Sequence, residues 1–345
     1  MARRVLIRVD MSSMLKPVIL DLDNTVIQQS EFLARAQPTV VGWRHHDNAL
    51  RYWSYKTFLR GLADDVKAKL GAVEGHCFFY GTSDSHHLTW ALLTGLKRKP
   101  VSVVYFDAHA DMNHMFMGPL RVGAGTWVSR AAELPGVDRI LGFGMDKDLR
   151  YIGNPPVPIG PYTHELNFVQ SGKVEFYMNN YPCSRFFGRF KATSRCAQFK
   201  PGWFSTDVAW KSFRELGVKK VITEAIDALA TEDIYISIDK DAIRPSESVT
   251  NYTGRFAGEM RLEQLTEALG LIAKRKNIVA MDVTGDGSSP AFGKEYWGKE
   301  MFRKWKDGDV DASLFTKPES VAINSRINLE ILRAIGVPVR DEARI

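Results

Sequence analysis

The sequence is poor in cysteine. Its 345 residues include three cysteines, Cys77, Cys183 and Cys196. An odd, low count without metal-finger spacing argues against a disulfide-rich secreted scaffold and against a cysteine-based zinc module. We therefore expect a protein of a reducing compartment, the cytoplasm.

Long hydrophobic runs and a strong charge of one sign are also lacking. No apolar run approaches the about 18 residues that cross a bilayer, and the apolar segment 5–7 is too short for a signal-peptide core. The 46 Lys and Arg residues nearly balance the 40 Asp and Glu residues, which leaves a net charge of +6. Because the basic residues occur in short, scattered clusters, we expect neither a membrane nor a nucleic acid as a partner.

Short apolar runs alternate with segments of helical periodicity. Most runs are rich in Val, Ile, Phe or Tyr, which is typical of strands buried on both faces. Strands that alternate with helices predict an α/β protein with a mostly parallel sheet covered on both faces. The predicted strands are residues 17–22, 77–80, 101–106, 140–143, 218–222, 234–238 and 278–283, and the predicted helices are residues 47–70, 87–96, 262–272 and 320–335.

Two stretches interrupt this alternation. Residues 151–205 begin with a proline-rich part and continue with aromatic and polar residues, whereas residues 284–318 begin with glycines and serines and continue with charged residues. Neither stretch resembles a flexible Gly/Ser connector. We interpret both as insertions in a single domain that spans residues 1–345.

The most informative segment follows the predicted strand at 101–106. Asp107, His109 and Asp111 alternate along a turn at the carboxyl end of this strand, where parallel sheets bind ligands. This alternation can point three ligating atoms in the same direction. Carboxylate oxygens with an imidazole nitrogen suit Mn, Fe, Zn or Co better than a thiolate-seeking metal. The alternative, two helix caps and a core histidine, does not require this combination.

Two further segments place polar side chains after predicted strands. Asp239 and Asp241 follow one strand, with a spacing that elsewhere often caps a loop or faces solvent. His86 and His87 follow another strand after a short loop. A lone histidine is more often structural than a ligand, but two adjacent histidines at the end of a buried strand make either role equally plausible.

Four carboxylates cannot gather in one pocket unless cations balance their charge. Two divalent ions would balance the four aspartates, and a pair of metals about 3.5–4 Å apart makes a bridging water acidic. The sequence therefore predicts a binuclear metal centre. Its six candidate ligands are His86, Asp107, His109, Asp111, Asp239 and Asp241.

The three segments, in this order, resemble the motifs of the arginase and ureohydrolase superfamily, which includes agmatinase-like and formimidoylglutamase-like enzymes. The family's Gly-Gly-Asp-His, Asp-Ala-His-x-Asp and Ser-x-Asp-x-Asp motifs correspond here to residues 81–86, 107–111 and 237–241. The resemblance implies a three-layer α/β/α fold with two Mn²⁺ ions as cofactors. It also implies a homo-oligomer, a trimer or hexamer, that acts on a small-molecule substrate.

The resemblance further implies how the ligands are shared. Asp107 and Asp239 would bridge the two ions. A metal-bridging hydroxide, hydrogen-bonded to Asp111, would attack the trigonal carbon of a guanidino, amidino or amide group and break a non-peptide C–N bond. One ion would also be held by His86 and Asp111, and the other by His109 and Asp241.

Two histidine positions depart from the family pattern. The first motif is irregular, so His87 is an alternative ligand to His86. The proton-shuttling histidine of many relatives has no counterpart within residues 123–127. His114 and His164 are candidates for this catalytic role by residue type alone.

The predicted substrate contacts also depart from the pattern. Relatives that cleave guanidines carry an Asp and then a Glu on the late strand, and here these positions are Asp282 and Gly285, with Asp286 as the candidate to supply the missing charge. A guanidinium needs an anionic, bidentate partner, so these changes weaken the prediction of an arginine-like substrate. Asn113 matches a position where relatives contact substrate, and a turn cap is an equal alternative for it.

Two other hypotheses remain. Asp21, Asp23 and Thr25 resemble the Asp-x-Asp-x-Thr turn of haloacid dehalogenase-type phosphatases, in which the first Asp is the nucleophile and the second the acid/base. This alternative leaves the three metal-like segments without a role, and Asp21 and Asp23 can instead cap an early strand. The other hypothesis is a catalytically inactive metal-binding relative that acts as a binding module.

Overall fold

A computed structural model describes most of the chain. The described residues are 14–113, 118–146, 163–180, 183–187, 189, 195–252, 257–307 and 312–341.

Parallel strands form the centre of the fold. The described residues also contain antiparallel strands, in the pairs β3–β6, β10–β11 and β11–β9. In chain order, all these strands are β1 (Lys16–Asp21), β2 (Thr39–Gly42), β3 (Trp53–Tyr55), β4 (His76–Phe79), β5 (Val101–Phe106), β6 (Arg121–Gly123), β7 (Val137–Met145), β8 (Val174–Met178), β9 (Cys183–Phe187), β10 (Ala197–Pro201), β11 (Ser205–Trp210), β12 (Asp233–Asp239) and β13 (Asn277–Thr284).

The main sheet has eight strands in the order β2-β1-β4-β13-β12-β5-β7-β8. Every pair of neighbours in it is parallel. All six residues of β5 are buried, as expected for a strand covered on both faces. This explains why the central strands read as nearly continuous apolar runs in the sequence.

Helices cover this sheet. They are α1 (Ser30–Ala36), α2 (Asp47–Leu50), α3 (Lys56–Leu70), α4 (Leu88–Gly95), α5 (Trp127–Ala132), α6 (Thr163–Gln170), α7 (Phe213–Leu216), α8 (Val218–Asp227), α9 (Leu262–Ala273), α10 (Trp297–Asp307) and α11 (Pro318–Ala334).

Two groups of helices pack against each other. Helix α4 contacts α3 and α5, whereas α1, α8, α9 and α11 form a second contacting group. The predicted three-layer α/β/α fold is therefore confirmed. In the described part of the chain, every helix is too short or too polar to span a membrane.

Two predicted elements were wrong. Residues 218–222, predicted as a strand, begin helix α8, whose buried Val218, Val221 and Ile222 recur at helical spacing. The predicted helix at 47–70 is broken between α2 and α3 by strand β3. The break includes Tyr52, whose φ of +67° does not fit a right-handed helix.

The predicted insertion at 151–205 contributes to the main sheet. Strand β8 lies within it and pairs with β7 as the edge strand. Strands β9, β10 and β11 form a separate antiparallel sheet, of which β9 and β10 also lie in this stretch. The stretch is therefore partly a continuation of the α/β alternation.

Candidate metal centre

The six predicted ligands follow three strands of the main sheet at their carboxyl ends. Asp107 comes directly after β5, Asp239 is the last residue of β12, and His86 follows β4 after a one-turn 3-10 helix. Strands β12 and β5 are neighbours, and β13 alone separates β12 from β4. Because the carboxyl ends of parallel strands lie at one edge, the three segments meet there.

His86 lies at the centre of three carboxylates. Its Nδ1 atom is 3.0 Å from Asp111 Oδ2, 3.3 Å from Asp107 Oδ2 and 3.4 Å from Asp239 Oδ2. Both His86 and Asp107 have side chains that are 1% exposed. The structure thus brings His86, and not His87, to these carboxylates.

His109 lies beside a second group of carboxylates. Its Nδ1 atom is 3.1 Å from Asp241 Oδ2 and 3.3 Å from Asp107 Oδ1. The structure therefore contains two groups of possible metal ligands that share Asp107. We call these residues the acid–histidine cluster: His86, Asp107, His109, Asp111, Asp239 and Asp241.

Hydrogen bonds from the chain orient the aspartates. Asp107 Oδ1 accepts from the backbone N–H of His109 at 2.7 Å. Asp239 Oδ1 accepts from the Ser83 hydroxyl at 2.7 Å and from the backbone N–H of Asp241 at 3.0 Å. Their Oδ2 atoms therefore remain directed at His86.

Asp111 is held in an unusual conformation. Its φ is +47°, which costs an L-residue roughly 1 kcal/mol although Asp tolerates it better than most. The indole N–H of Trp127 donates to Asp111 Oδ2 at 2.8 Å. Strain of this kind is common at functional sites. The contact with Trp127 was not anticipated from the sequence, because Trp127 lies 16 residues further along the chain, in helix α5.

Ser237 links His86 to Asp282. Ser237 Oγ lies 2.9 Å from His86 Nε2 and 2.9 Å from Asp282 Oδ1, to which it donates. With its single proton given to Asp282, Ser237 Oγ can accept from His86 Nε2, and this arrangement leaves the lone pair of Nδ1 directed at the carboxylates. Tyr80 also donates to Asp282 Oδ1, and Tyr235 donates to Asp282 Oδ2. Asp282 is thus a buried acceptor that orients His86 through Ser237.

The cluster is electrostatically unfavourable without cations. Burial and the neighbouring Asp111 and Asp241 raise the pKa of Asp107 well above its ordinary value. Burial and Asp241 raise the pKa of Asp239 to about 7. Although burial lowers the pKa of His86, the adjacent Asp111 carboxylate and the charge of Asp239 raise it to about 9. The buried aspartates of the cluster therefore repel one another, and bound cations would reduce this repulsion.

The donor set fits two divalent cations. Carboxylate oxygens and imidazole nitrogens are ligands for Mn²⁺ and related ions. His86 Nδ1 is buried and, within the described residues, has no properly oriented hydrogen-bond partner. A lone pair that faces three carboxylates is the arrangement expected of a metal ligand.

Comparison with known proteins agrees with this geometry. The Arginase family model matches residues 56–151. No curated protein sequence matches the chain significantly.

Solved structures similar to this chain share its fold at low sequence identity. An arginase from Bacillus subtilis is 12% identical, with a TM-score of 0.56 and coverage of 95% of this chain and 100% of that one. An agmatine ureohydrolase from Thermoplasma volcanium is 14% identical, with a TM-score of 0.53 and coverage of 95% and 92%. A formimidoylglutamase from Bacillus subtilis is 13% identical, with a TM-score of 0.54 and coverage of 94% and 88%.

The resemblance to the arginase superfamily is confirmed. The matched region includes His86 and the 107–111 segment, whereas the 237–241 segment lies beyond it.

In this arginase-like chain the residues of the phosphatase hypothesis have structural partners. Asp21 Oδ2 accepts from Arg44 Nε at 2.6 Å. Asp23 Oδ2 accepts from the Ser288 hydroxyl at 2.7 Å and from the backbone N–H of Thr82 at 3.2 Å. Both aspartates thus form hydrogen bonds that hold neighbouring loops together at the sheet edge. The phosphatase alternative is therefore not favoured.

A buried guanidinium lies beside the cluster and was missed from the sequence. Arg51 donates to Asp47 Oδ1 at 2.8 Å, to Asp84 Oδ2 at 3.1 Å and to Ser288 Oγ at 2.7 Å. Its Nη2 atom is 3.6 Å from Asp23 Oδ2. We call these five residues the Arg51 network. It joins α2 to the loops that follow β1, β4 and β13.

Asp286 has partners of its own. Its carboxylate forms a buried ion pair with Lys240 Nζ, and Asp286 Oδ2 accepts from Gln29 Nε2 at 3.1 Å. Asn328 completes the group by donating to Gln29 Oε1 at 2.8 Å. The prediction that Asp286 binds substrate or takes part in catalysis stays a prediction, and both its oxygens are already bonded.

The remaining predicted residues lie near the cluster or outside the described part. Asn113 follows the 107–111 turn closely in the chain, and its backbone N–H donates to Gly125 O at 2.9 Å. His114 lies outside the described residues, and the same is true of the side chain of His164. Sequence reasoning missed Tyr252, whose ring centroid is 5.4 Å from that of His109.

Proposed function

We propose that this chain is a metal-dependent hydrolase of the ureohydrolase type that cleaves a non-peptide C–N bond of a small molecule. The observation that carries the proposal is the convergence of five cluster residues in two ligand groups with Asp107 in common, together with Asp111, whose Oδ2 is 3.0 Å from His86 Nδ1. The family match and the fold shared with an arginase, an agmatine ureohydrolase and a formimidoylglutamase support hydrolysis as the reaction class.

Two divalent cations would be held by the cluster, and we expect Mn²⁺. His86 and Asp111 would belong to one ion and His109 and Asp241 to the other, with Asp107 and Asp239 between them. Cations bound in this way lower the pKa of water and polarise the C=O or C=N group of a substrate.

The chain's own residues would orient the reactants. Asp111, whose Oδ2 is fixed by Trp127 Nε1, would accept a hydrogen bond from the attacking water. Asn113 beside the turn would contact substrate, and His114 would carry the proton to the departing amine. We further propose that the protein works in the cytoplasm as a homo-oligomer, a trimer or hexamer.

Metal analysis tests the proposal directly. Protein stripped with a chelator and reloaded with Mn²⁺ should contain about two ions per chain, as the two ligand groups require. It should then release amine or ammonia from members of a panel of guanidino, amidino, ureido and amide compounds. The variant His109→Ala should lose both properties, whereas Asp21→Asn should keep them.

Three other results would contradict it. A protein that binds no Mn²⁺ and whose melting temperature does not change with Mn²⁺ is not a metal-dependent hydrolase. Phosphatase activity that is lost in Asp21→Asn but kept in His109→Ala would favour the phosphatase alternative. A metal-loaded protein that is inert to the whole panel would favour the binding-module alternative.

A further inference from the structure

A buried ammonium group lies beside the cluster and has no part in the proposed chemistry. Lys240 stands between Asp239 and Asp241 in sequence, and its side chain is 1% exposed. A cation of the chain this close to the cluster aspartates can repel a divalent ion or compete with it for their charge. What holds this ammonium group therefore bears on whether the cluster can bind metal.

Four buried side chains form a closed ring of hydrogen bonds around this ammonium group. Lys240 Nζ pairs with Asp286 Oδ1 and donates to Asn328 Oδ1 at 3.3 Å. Asp286 Oδ2 accepts from Gln29 Nε2 at 3.1 Å, and Gln29 Oε1 accepts from Asn328 Nδ2 at 2.8 Å. We call these four residues the Lys240 ring. It joins the end of β12 to the loop after β13 and to helices α1 and α11.

The backbone brings Asp286 within reach of Lys240. The preceding Gly285 has a φ of +105°, and a Cβ atom there would lie 2.6 Å from Lys240 N and 2.8 Å from Lys240 Cβ. Because any side chain at this position would collide with Lys240, the close approach requires glycine. The backbone N–H groups of Gly285 and Asp286 also donate to Gly81 O, at 2.6 Å and 2.8 Å. Asp286 is therefore fixed by its backbone as well as by the Lys240 ring.

These contacts distinguish two roles for Asp286. A carboxylate that binds a cationic substrate must direct its oxygens at that substrate. Both oxygens of Asp286 are instead bonded within the Lys240 ring, and its side chain is 3% exposed. A carboxylate that neutralises a buried ammonium group needs a direct ion pair and further hydrogen bonds, and Asp286 has both.

Resting on the metal centre of the proposed function, we infer that Asp286 is a positioning residue for that centre and acts through Lys240. Its carboxylate holds the ammonium group in the Lys240 ring, and its negative charge offsets the positive one. The aspartates on either side of Lys240 then remain available to divalent cations. Without this counter-ion, the ammonium group would repel cations from the cluster or turn to one of its carboxylates.

Moving the negative charge within the ring tests the inference. Asp286→Asn removes the counter-ion and should weaken Mn²⁺ binding to the chelator-treated full chain by about 10- to 100-fold, the range for residues behind metal ligands. Asn328→Asp offers the same ammonium group a carboxylate from α11, where Asn328 Oδ1 already accepts from Lys240. The Gln29 amide can turn over to match the exchanged partners. The relocation variant Asp286→Asn/Asn328→Asp should therefore recover most of the lost affinity, as measured by calorimetry.

A second double variant keeps the test independent of how well the relocation variant folds. Lys240→Met/Asp286→Asn removes both charges, so no unpaired ammonium group stays buried. It should bind Mn²⁺ more tightly than Asp286→Asn does, although it carries one substitution more. A merely structural ion pair would change the melting temperature of the metal-free proteins and leave the Mn²⁺ affinity of the folded chains unchanged.

Glu319→Gln is the matched control. Glu319 is exposed at the start of α11, and the substitution removes one negative charge, as Asp286→Asn does. This variant should bind Mn²⁺ as the unmodified protein does, because solvent screens the charge that is lost.

The outcomes separate this inference from the proposed function. An unchanged Mn²⁺ affinity in Asp286→Asn overturns the inference, and with a raised KM it would assign Asp286 to the substrate while the proposed hydrolase stands. Double variants that both bind Mn²⁺ no better than Asp286→Asn also overturn the inference. The expected order of Mn²⁺ affinities without any turnover would support the inference and overturn the proposed hydrolase. A chain that binds no Mn²⁺ overturns both.

Discussion

Two groups of buried acids lie side by side at the carboxyl edge of the sheet, and they are balanced in different ways. In the Arg51 network, three aspartates surround a guanidinium that belongs to the chain, with Arg51 only 1% exposed. In the acid–histidine cluster, four aspartates face two imidazoles and, among the described residues, no Lys or Arg is bonded to them. Lys240 stands between Asp239 and Asp241 in sequence, yet its ammonium group turns to Asp286.

This difference indicates what each group is for. A buried charge without a partner is costly, so buried acids are normally paired or bound to metal. The chain supplies the cation for the network, which is a structural joint between loops. The ammonium group of Lys240 pairs with Asp286 and not with a cluster aspartate, which is the arrangement expected where the cation comes from solution.

The largest expected effect is loss of the metal from the cluster. Asp239→Asn removes a negative charge from a proposed bridging position and should weaken Mn²⁺ binding by more than about 100-fold, since even residues behind the ligands contribute 10- to 100-fold. Calorimetry of the chelator-treated protein measures this. A variant that still binds Mn²⁺ with unchanged affinity would show that the cluster, like the network, is satisfied by the chain itself.

The next effect concerns stability. Arg51→Met leaves the network's acids without their cation, and should lower the free energy of unfolding by about 3–5 kcal/mol, as for other broken buried ion pairs. Urea unfolding measures this change. The double variant Arg51→Met/Asp84→Asn should recover part of the loss. If Arg51→Met is as stable as the unmodified chain, the network does not join the loops as described.

A smaller effect is expected behind the cluster. Ser237→Ala removes the acceptor for His86 Nε2, so the imidazole is less well oriented and Mn²⁺ affinity should fall by about 10- to 100-fold. Thr89→Val is a useful companion, because Thr89 Oγ1 lies 3.1 Å from Ser237 Oγ, and the hydrogen bond of Thr89 to His86 comes from its backbone N–H, which the substitution keeps. It should change Mn²⁺ affinity less. Equal losses in the two variants would mean that the hydroxyl group acts by packing alone.

The smallest expected effect concerns the pH dependence of stability and a buried ammonium group, Lys299, that is bonded to backbone carbonyls and not to acids. Lys299 donates to three backbone carbonyls, Asn48 O at 3.0 Å and Ala49 O and Trp53 O at 2.8 Å. Burial lowers its pKa to about 7, against an opposing influence of Asp47. The unfolded chain keeps this proton up to the ordinary lysine pKa, so between about pH 7 and 10 it binds more protons than the folded chain.

The contribution of Lys299 to the free energy of unfolding should therefore rise with pH, by at most about 1.4 kcal/mol per pH unit. Urea unfolding at pH 7, 8 and 9 measures the slope, and Lys299→Met provides the reference without the titrating group. Equal slopes in both proteins would show that Lys299 keeps its charge, as Arg51 does.

The central part of the fold and the meeting of the cluster were predictable because both follow from short segments. Each ligand motif adjoins an apolar run, and parallel strands bring their carboxyl ends to one edge whatever lies between them. Residues 218–222 misled because a five-residue window does not separate a strand from a buried helix face. The wider spacing, with Ala225 and Ile226 also buried, would have indicated α8.

Other features could not be predicted from local patterns. Arg51 lies within an apparently helical segment, and its partners Asp84 and Ser288 are 33 and 237 residues away. Tyr252 approaches His109 across 5.4 Å between ring centroids although the two belong to different loops. Such contacts depend on how loops fold over the sheet edge, which no spacing in the sequence records.

The position of β13 in the sheet has a consequence for synthesis. It separates β4 from β12, yet it follows both of them in the chain. A ribosome must therefore translate past Thr284 before the strands that carry His86 and Asp239 can settle at their final spacing. A metal ion held by His86, Asp107 and Asp239 would therefore be taken up only after β13 has been synthesised.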